Sequence, residues 1–269
     1  MNPTAPYRKV MAILNVTPDS FYAASRAESA EAVAERVRRM VAEGADIVDI
    51  GGYSTRPGAE VVDEQEEIRR VMSGVEVCRT VAPDVTLSID TFRASVAERV
   101  LSEYDNVIIN DITAGEADGR LVDVVARYGA PMVAMHTRGT PQTMASLTDY
   151  KDVVAEVADY LAQRAKWLVG QGVKEVIIDP GFGFAKTVEQ NFELLARLGE
   201  ISALGFPVLA GISRKSFIYK SLGITPEEAL EPTSALHWAC LEGGAAILRV
   251  HDTAPARQII KLYEQTKCL

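Results

Sequence analysis

Only three cysteines occur in the 269 residues, and Cys78, Cys240 and Cys268 stand too far apart for C-x-x-C spacing. Neither a disulfide framework nor a zinc site is indicated, and reduced thiols fit a cytoplasmic setting. Positive charge is in deficit: 28 Lys and Arg face 37 Asp and Glu, a net charge of -9. That argues against nonspecific nucleic-acid binding, and it means that an anionic ligand needs a local cationic site. No apolar run approaches the roughly 18 residues that a membrane span requires, so no membrane partner is expected. Residues 1–9 lack the apolar stretch of a signal peptide, which again leads us to expect a cytoplasmic location. Low-complexity linkers, blocks of like charge and long repeats are also missing, so one domain is expected over residues 1–269.

What is present is a regular alternation. Hydrophobic residues make up 48% of the chain and charged ones 24%, as in a folded globular protein. Eight short apolar runs cover residues 10–16, 46–51, 86–91, 107–112, 131–136, 175–181, 208–213 and 246–252. They are rich in Val, Ile and Ala at successive positions, as in parallel strands buried on both faces. Between them, residues 30–43, 63–81, 93–104, 121–128, 150–169, 188–204, 232–242 and 255–263 carry apolar residues at helical spacing. Gly44, Gly129, Gly172, Gly205 and Gly243 supply helix stops. Strand then helix, eight times over, predicts an α/β fold, a single (β/α)8 TIM barrel. A doubly wound open sheet also alternates, but no glycine-rich dinucleotide turn follows the first strand.

Each strand ends in polar residues. Any one of them is explained as a helix cap; the whole set is not, because caps do not account for amides inside apolar runs. Asp90, Asn110, Asp179 and Lys215 end strands 3, 4, 6 and 7 or start the loops that follow. Two carboxylates, an amide and an ammonium suit a flat heterocycle that offers N–H donors on one edge and acceptors on another. Met135 and Phe184 are placed to stack on such a ring. A second group is directed at an anion. Arg249 and His251 alternate along strand 8, so both are expected on one side of it, and Arg56 lies in the second loop. Asn15 ends strand 1 and can contribute an oxygen to Mg2+, an ion that keeps most of its waters and often rides on a phosphate.

The longer motifs run in order. They are Ile13-Leu14-Asn15-Val16-Thr17-Pro18-Asp19-Ser20-Phe21, Gly51-Gly52-Tyr53-Ser54-Thr55-Arg56-Pro57-Gly58, Ser88-Ile89-Asp90-Thr91, Ile109-Asn110-Asp111, Asp179-Pro180-Gly181-Phe182-Gly183-Phe184, Ser213-Arg214-Lys215-Ser216 and Arg249-Val250-His251-Asp252. With them the sequence resembles the dihydropteroate synthase family over most of its length. The resemblance implies a barrel enzyme of folate synthesis. It would join 6-hydroxymethyl-7,8-dihydropterin diphosphate to p-aminobenzoate and release pyrophosphate. It also implies that Asp90, Asn110, Met135, Asp179, Phe184 and Lys215 hold the pterin, with Asp90, Asp179 and Lys215 as catalytic candidates. Asn15, Arg249 and His251 would then hold the diphosphate, with Asn15 also on Mg2+. Thr55, Arg56, Pro57 and Ser216 lie where the family holds p-aminobenzoate and where sulfonamides compete. A homodimer is implied as well.

Two stretches depart from the family pattern. After Asp19-Ser20-Phe21 the family usually has a turn with Asp-Gly-Gly, whereas Tyr22-Ala23-Ala24-Ser25 stands here. After strand 5 the usual His-Met is His136-Thr137. Other readings are a methyltetrahydrofolate:corrinoid methyltransferase, a relative that binds pterin with weak or no synthase activity, and an aldolase with Lys215 as Schiff-base lysine. The first needs neither the Ser-Thr-Arg-Pro-Gly loop nor the Arg-x-His pair. Against the last, Lys215 is expected in a polar loop, not in an apolar strand where its pKa would fall.

Overall fold

The computed structural model describes residues 8–16, 26–53, 62–140 and 142–267. The first and second βα loops, at 17–25 and 54–61, lie outside the described residues. With them go Thr55, Arg56, Pro57 and the Tyr22-Ala23-Ala24-Ser25 departure.

Eight parallel strands close into one barrel in sequential order, β1-β2-β3-β4-β5-β6-β7-β8. The strands are β1 (Lys9–Asn15), β2 (Ile47–Gly51), β3 (Thr86–Asp90), β4 (Val107–Asp111), β5 (Met132–Met135), β6 (Val176–Asp179), β7 (Val208–Ala210) and β8 (Ala245–Val250). The helices are α1 (Arg26–Ala42), α2 (Glu64–Val81), α3 (Ala94–Leu101), α4 (Leu121–Tyr128), α5 (Val153–Gly170), α6 (Val188–Ala196), α7 (Leu198–Ser202), α8 (Ser216–Leu222), α9 (Leu230–Glu242) and α10 (Thr253–Lys267).

Local chemistry accounts for several helix ends. Asp63 caps α2 by accepting from the Gln65 amide at 2.9 Å, with Glu64, Glu66 and Glu67 in the first turn against the helix dipole. Asp152 caps α5 in the same way, and Thr187 with Gln190 forms a capping box on α6. Gly129 ends α4 at φ 65°, a left-handed turn that favours glycine.

Strands β5, β6 and β7 are shorter than the apolar runs that predict them, and three further differences from the sequence expectation stand out. The segment 188–204 is two helices, because the backbone at Arg197 leaves helical geometry (φ -108°, ψ 19°) while the apolar period continues across the break. Helix α8 is additional; it has seven residues, and its buried Phe217 and Ile218 are too few to show a period. Strand β8 stops at Val250, so His251 stands beyond the ladder, and alternation no longer carries it to the same side as Arg249.

The core has two parts, set by the two faces of each strand. Outward residues such as Val10, Val48, Leu87, Ile109 and Ile178 pack beneath the helices. Inward, Met11, Ile47, Ile108, Val133, Ile177, Leu209 and Ile247 form a separate apolar plug. Each of these side chains contributes about 1.5–3 kcal/mol by leaving water. The plug also closes the barrel from below, so a ligand enters from the C-terminal mouth.

Candidate active site at the barrel mouth

Two residues further along each strand the side chain faces inward again. From the plug residues of β2, β4, β5, β6 and β8 that step leads to Asp49, Asn110, Met135, Asp179 and Arg249. A polar layer therefore lies directly on the apolar plug. Strand register adds the next tier, in which Asn15 pairs with Gly51, Gly51 with Asp90, and Asp90 with Asn110. Gly51 keeps that tier open: a Cβ there would stand 3.7 Å from both Asn15 Oδ1 and Asp90 Cβ.

Arg249 organises one half. Its Nε donates to Asp49 Oδ2 at 2.7 Å and its Nη2 to Asp90 Oδ2 at 2.7 Å. Asn110 Nδ2 lies 3.3 and 3.4 Å from the two Asp49 oxygens. Burial disfavours the guanidinium charge, but Asp49 and Asp90 outweigh it and hold Arg249 firmly protonated. Burial pushes the Asp90 carboxyl well above the usual range; Arg249 pulls it part of the way back, and Asp49 adds to the rise.

Asp179 and Lys215 organise the other half. Asp179 pairs with Met135 across β6 and β5, and its Oδ1 accepts from the Gly181 amide at 2.7 Å. Burial raises its pKa, and the nearby Lys215 charge opposes the rise. The Lys215 Nζ donates to the Phe182 carbonyl and sits 4.5 Å from the centre of the Phe184 ring, a cation–π contact. Burial brings the ammonium down to about 8, with Asp179 holding it up in part. This corrects the expectation that a polar loop would leave Lys215 with an ordinary pKa: the loop turns inward and buries the amine beneath Phe182 and Phe184. The aldolase argument from pKa therefore fails, although no apolar strand surrounds the lysine. Ser216 follows Lys215 as the first residue of α8.

Asp90, Asn110, Met135, Asp179, Phe184, Lys215 and Arg249 thus share one mouth with Asn15. His251 lies at the rim, where its Nδ1 is 3.1 Å from Ser213 Oγ. Other strand-end polar residues serve the loops. Asp111 accepts from the Thr113 and Gly115 amides, and Thr91 donates to Glu67 at 2.7 Å. A cavity of about 400 Å3 opens beside Phe184, with Tyr53, Phe92, Ile112, Thr137 and Met144 among its walls.

Sequence reasoning misses two residues of the mouth. Asp49 is visible as a polar residue in an apolar run, but its partner Arg249 is 200 residues away. Lys186, two residues past the Phe184 motif, reaches back with its Nζ to His136 Nδ1 at 3.1 Å and to the Gly181 carbonyl at 3.0 Å; no local pattern signals that.

A closed barrel with acids, an amide and cations facing inward over an apolar floor defines a (β/α)8 enzyme with its site at the C-terminal mouth. The family described as pterin binding enzyme matches residues 11–251. A dihydropteroate synthase of Synechocystis is 43% identical over 256 residues, covering 94% of this chain and 88% of that protein. The crystal structure of dihydropteroate synthase from Thermus thermophilus in complex with 4-aminobenzoate superposes with a TM-score of 0.85 at 39% identity, over 96% of this chain and 94% of that one. The Thermus thermophilus enzyme in complex with 6HMPPP gives a TM-score of 0.82 at 36% identity, over 97% and 94%. The chain belongs to the dihydropteroate synthase family of pterin-binding enzymes.

Proposed function

We propose that the protein is a transferase of folate synthesis that joins 6-hydroxymethyl-7,8-dihydropterin diphosphate to p-aminobenzoate, giving 7,8-dihydropteroate and pyrophosphate. The observation that carries this reading is the polar layer on the apolar plug. Carboxylates, an amide and cations line a space there that suits a flat, neutral, donor-rich ring.

The chemistry is a substitution at the exocyclic methylene of the pterin. The C–O bond to diphosphate breaks, the arylamine nitrogen bonds to that carbon, and the amine loses a proton. In this reading Asp179 accepts ring N–H donors, Asn110 and Asp90 bond the opposite part of the ring, and Lys215 donates to a ring acceptor. Met135 and Phe184 flank the two faces. Buried carboxylates also favour the positive charge that builds on the ring as the leaving group departs. Asn15, Arg249 and His251 hold the diphosphate, and Thr55, Arg56, Pro57 and Ser216 hold p-aminobenzoate.

Mg2+ belongs to the proposal. Among the described residues no group of three or more His, Cys, Asp or Glu side chains is placed to hold a metal ion. In this reading the diphosphate carries the ion in, and Asn15 supplies its protein oxygen. Bound there, it would offset charge on the departing pyrophosphate. We also propose a cytoplasmic homodimer. No helix among the described residues is long and apolar enough to cross a membrane.

The test is a steady-state assay of pyrophosphate release from the pterin diphosphate. Release that depends on p-aminobenzoate is expected. Release without it, or none at all, would overturn the proposal.

A further inference from the structure

The turn that carries Phe182 and Phe184 is an awkward piece of backbone. Gly181, Gly183 and Ala185 all adopt positive φ, at 69°, 79° and 48°. Glycine takes that conformation without steric cost, but at Ala185 it is strained. The turn also packs directly on the end of β5: a Cβ on Gly181 would stand 2.0 Å from the His136 carbonyl oxygen. Within it, the Phe184 amide donates to the Gly181 carbonyl at 3.1 Å.

Asp179 Oδ1 and Asn191 Oδ1 accept from the Gly181 and Gly183 amides, and Lys186 holds the turn's carbonyls. Lys186 Nζ donates to the Gly181 carbonyl at 3.0 Å and to the Phe184 carbonyl at 3.1 Å, and it lies 3.1 Å from His136 Nδ1. An ammonium has three donors, and three acceptors meet them. All three acceptors are neutral, so the charge is not there to complete an ion pair. With Nδ1 accepting, the His136 ring carries its proton on Nε2. That ring sits edge-on to Tyr160, with centroids 5.1 Å apart, while its backbone amide donates to the Asp179 carbonyl at 2.9 Å. The lysine therefore links the end of β5, the end of β6 and both ends of the turn.

We infer that Lys186 is a positioning residue for the pterin site: it locks the 181–184 turn onto β5 and thereby fixes the Phe184 ring and the Phe182 carbonyl against which Lys215 is held. Lys186 itself bonds the back of the turn. Its effect on a ligand passes through Phe184, which faces Lys215 across 4.5 Å. The inference rests on the proposed pterin pocket.

A double-mutant cycle on the full chain tests it, with 6-hydroxymethyl-7,8-dihydropterin as the probe in titration calorimetry. Lys186→Met keeps the length of the side chain and removes the donors; Phe184→Ala removes the ring. Each is expected to weaken the probe about tenfold, and the double variant no more than about threefold beyond the weaker single one, because one contact is lost twice. A merely structural lysine would lower the melting temperature and leave the two effects multiplying to about a hundredfold. Multiplying effects, or an unchanged affinity of Lys186→Met, would overturn the inference. If Lys186→Met does not fold, Lys186→Gln, which keeps two N–H donors, carries the same cycle. Failure of the unmodified protein to bind the probe would instead count against the proposed function.

Discussion

Replacing Asp49 by Asn removes one negative charge at the floor of the polar layer and little volume. Asp49 is fully buried and takes the Arg249 Nε at 2.7 Å and its Nη2 at 2.6 Å, while Asn110 lies at hydrogen-bond distance from both oxygens. A buried ion pair stripped of one partner costs about 3–5 kcal/mol, and a single hydrogen bond to a charge about 1.5–3 kcal/mol. Arg249 keeps Asp90 at 2.7 Å, and the new amide keeps one acceptor oxygen, so the lower figure applies. We expect Asp49→Asn to lose about 2 kcal/mol of stability, which for a chain of this size lowers the melting temperature by roughly 4–8 °C. Arg249 then keeps Asp90 as its one carboxylate partner and Asn110 loses one of its two acceptor oxygens, so pterin affinity should fall about tenfold, since each 1.4 kcal/mol is a factor of ten. Scanning calorimetry reads the first effect and titration with the dihydropterin the second. A variant that melts within about a degree of the parent and binds pterin within about twofold would show that Asp49 does not organise the layer.

Other outcomes follow from single features. Gly181→Ala forces a Cβ to 2.0 Å from the His136 carbonyl at a positive φ and should cost about 2–4 kcal/mol; a native melting temperature would refute the close packing of turn on strand. Burial pushes the Cys78 thiol up to about 12 and raises Cys240 as well, so neither should react with a disulfide reagent in the native protein, and label found on either by peptide mapping would contradict their placement. Because burial holds Lys215 at about 8, pterin affinity should fall as pH rises through 8 and the ammonium discharges. Stability moves the other way: the folded pKa lies below the ordinary 10.5, so the folded state gives up this proton first, and the lysine's contribution rises between about pH 8 and 10.5. Lys215→Met should remove that share of the rise, and loss of affinity at pH 9 that coincides with unfolding would refute the assignment.

The eight strands are legible in the sequence because each is short and apolar on both faces, and the barrel follows from their number. Strand ends are less legible, since polar residues such as His251 and Asp252 extend a run in sequence after the ladder has stopped at Val250. Asp90, Asn110, Asp179 and Arg249 stand out as polar residues that an inward-facing strand position would not otherwise carry. Their partners do not stand out. Arg249 meets Asp49 because closing the barrel brings β8 beside β1 and β2, a relation that no local pattern encodes. Lys215 looks exposed among Ser213, Arg214 and Ser216, yet it is half-buried, with its amine on the Phe182 carbonyl and the Phe184 ring, a contact with a loop some thirty residues earlier. Lys186 is hidden differently: the pattern of its neighbours says nothing of a side chain that folds back over its own turn.

Groups of both signs crowd the mouth: Asp49, Asp90 and Asp179 lie near Arg249, Lys215 and Lys186, with burial raising the Asp90 and Asp179 carboxyls and lowering both lysines. Such a layer holds a neutral bicyclic ring without changing its own charge state, because every donor and acceptor the ring brings exchanges with an existing partner rather than adding a net charge to a buried site. A diphosphate is a different guest. It adds negative charge where Asp90 is already pushed toward its neutral form by burial, and Arg249 has two carboxylates to serve. In the proposed complex Arg249 and His251 therefore leave part of that charge to be offset by another group. That is the physical case for the proposed Mg2+ travelling with the substrate, with Asn15 as its protein oxygen.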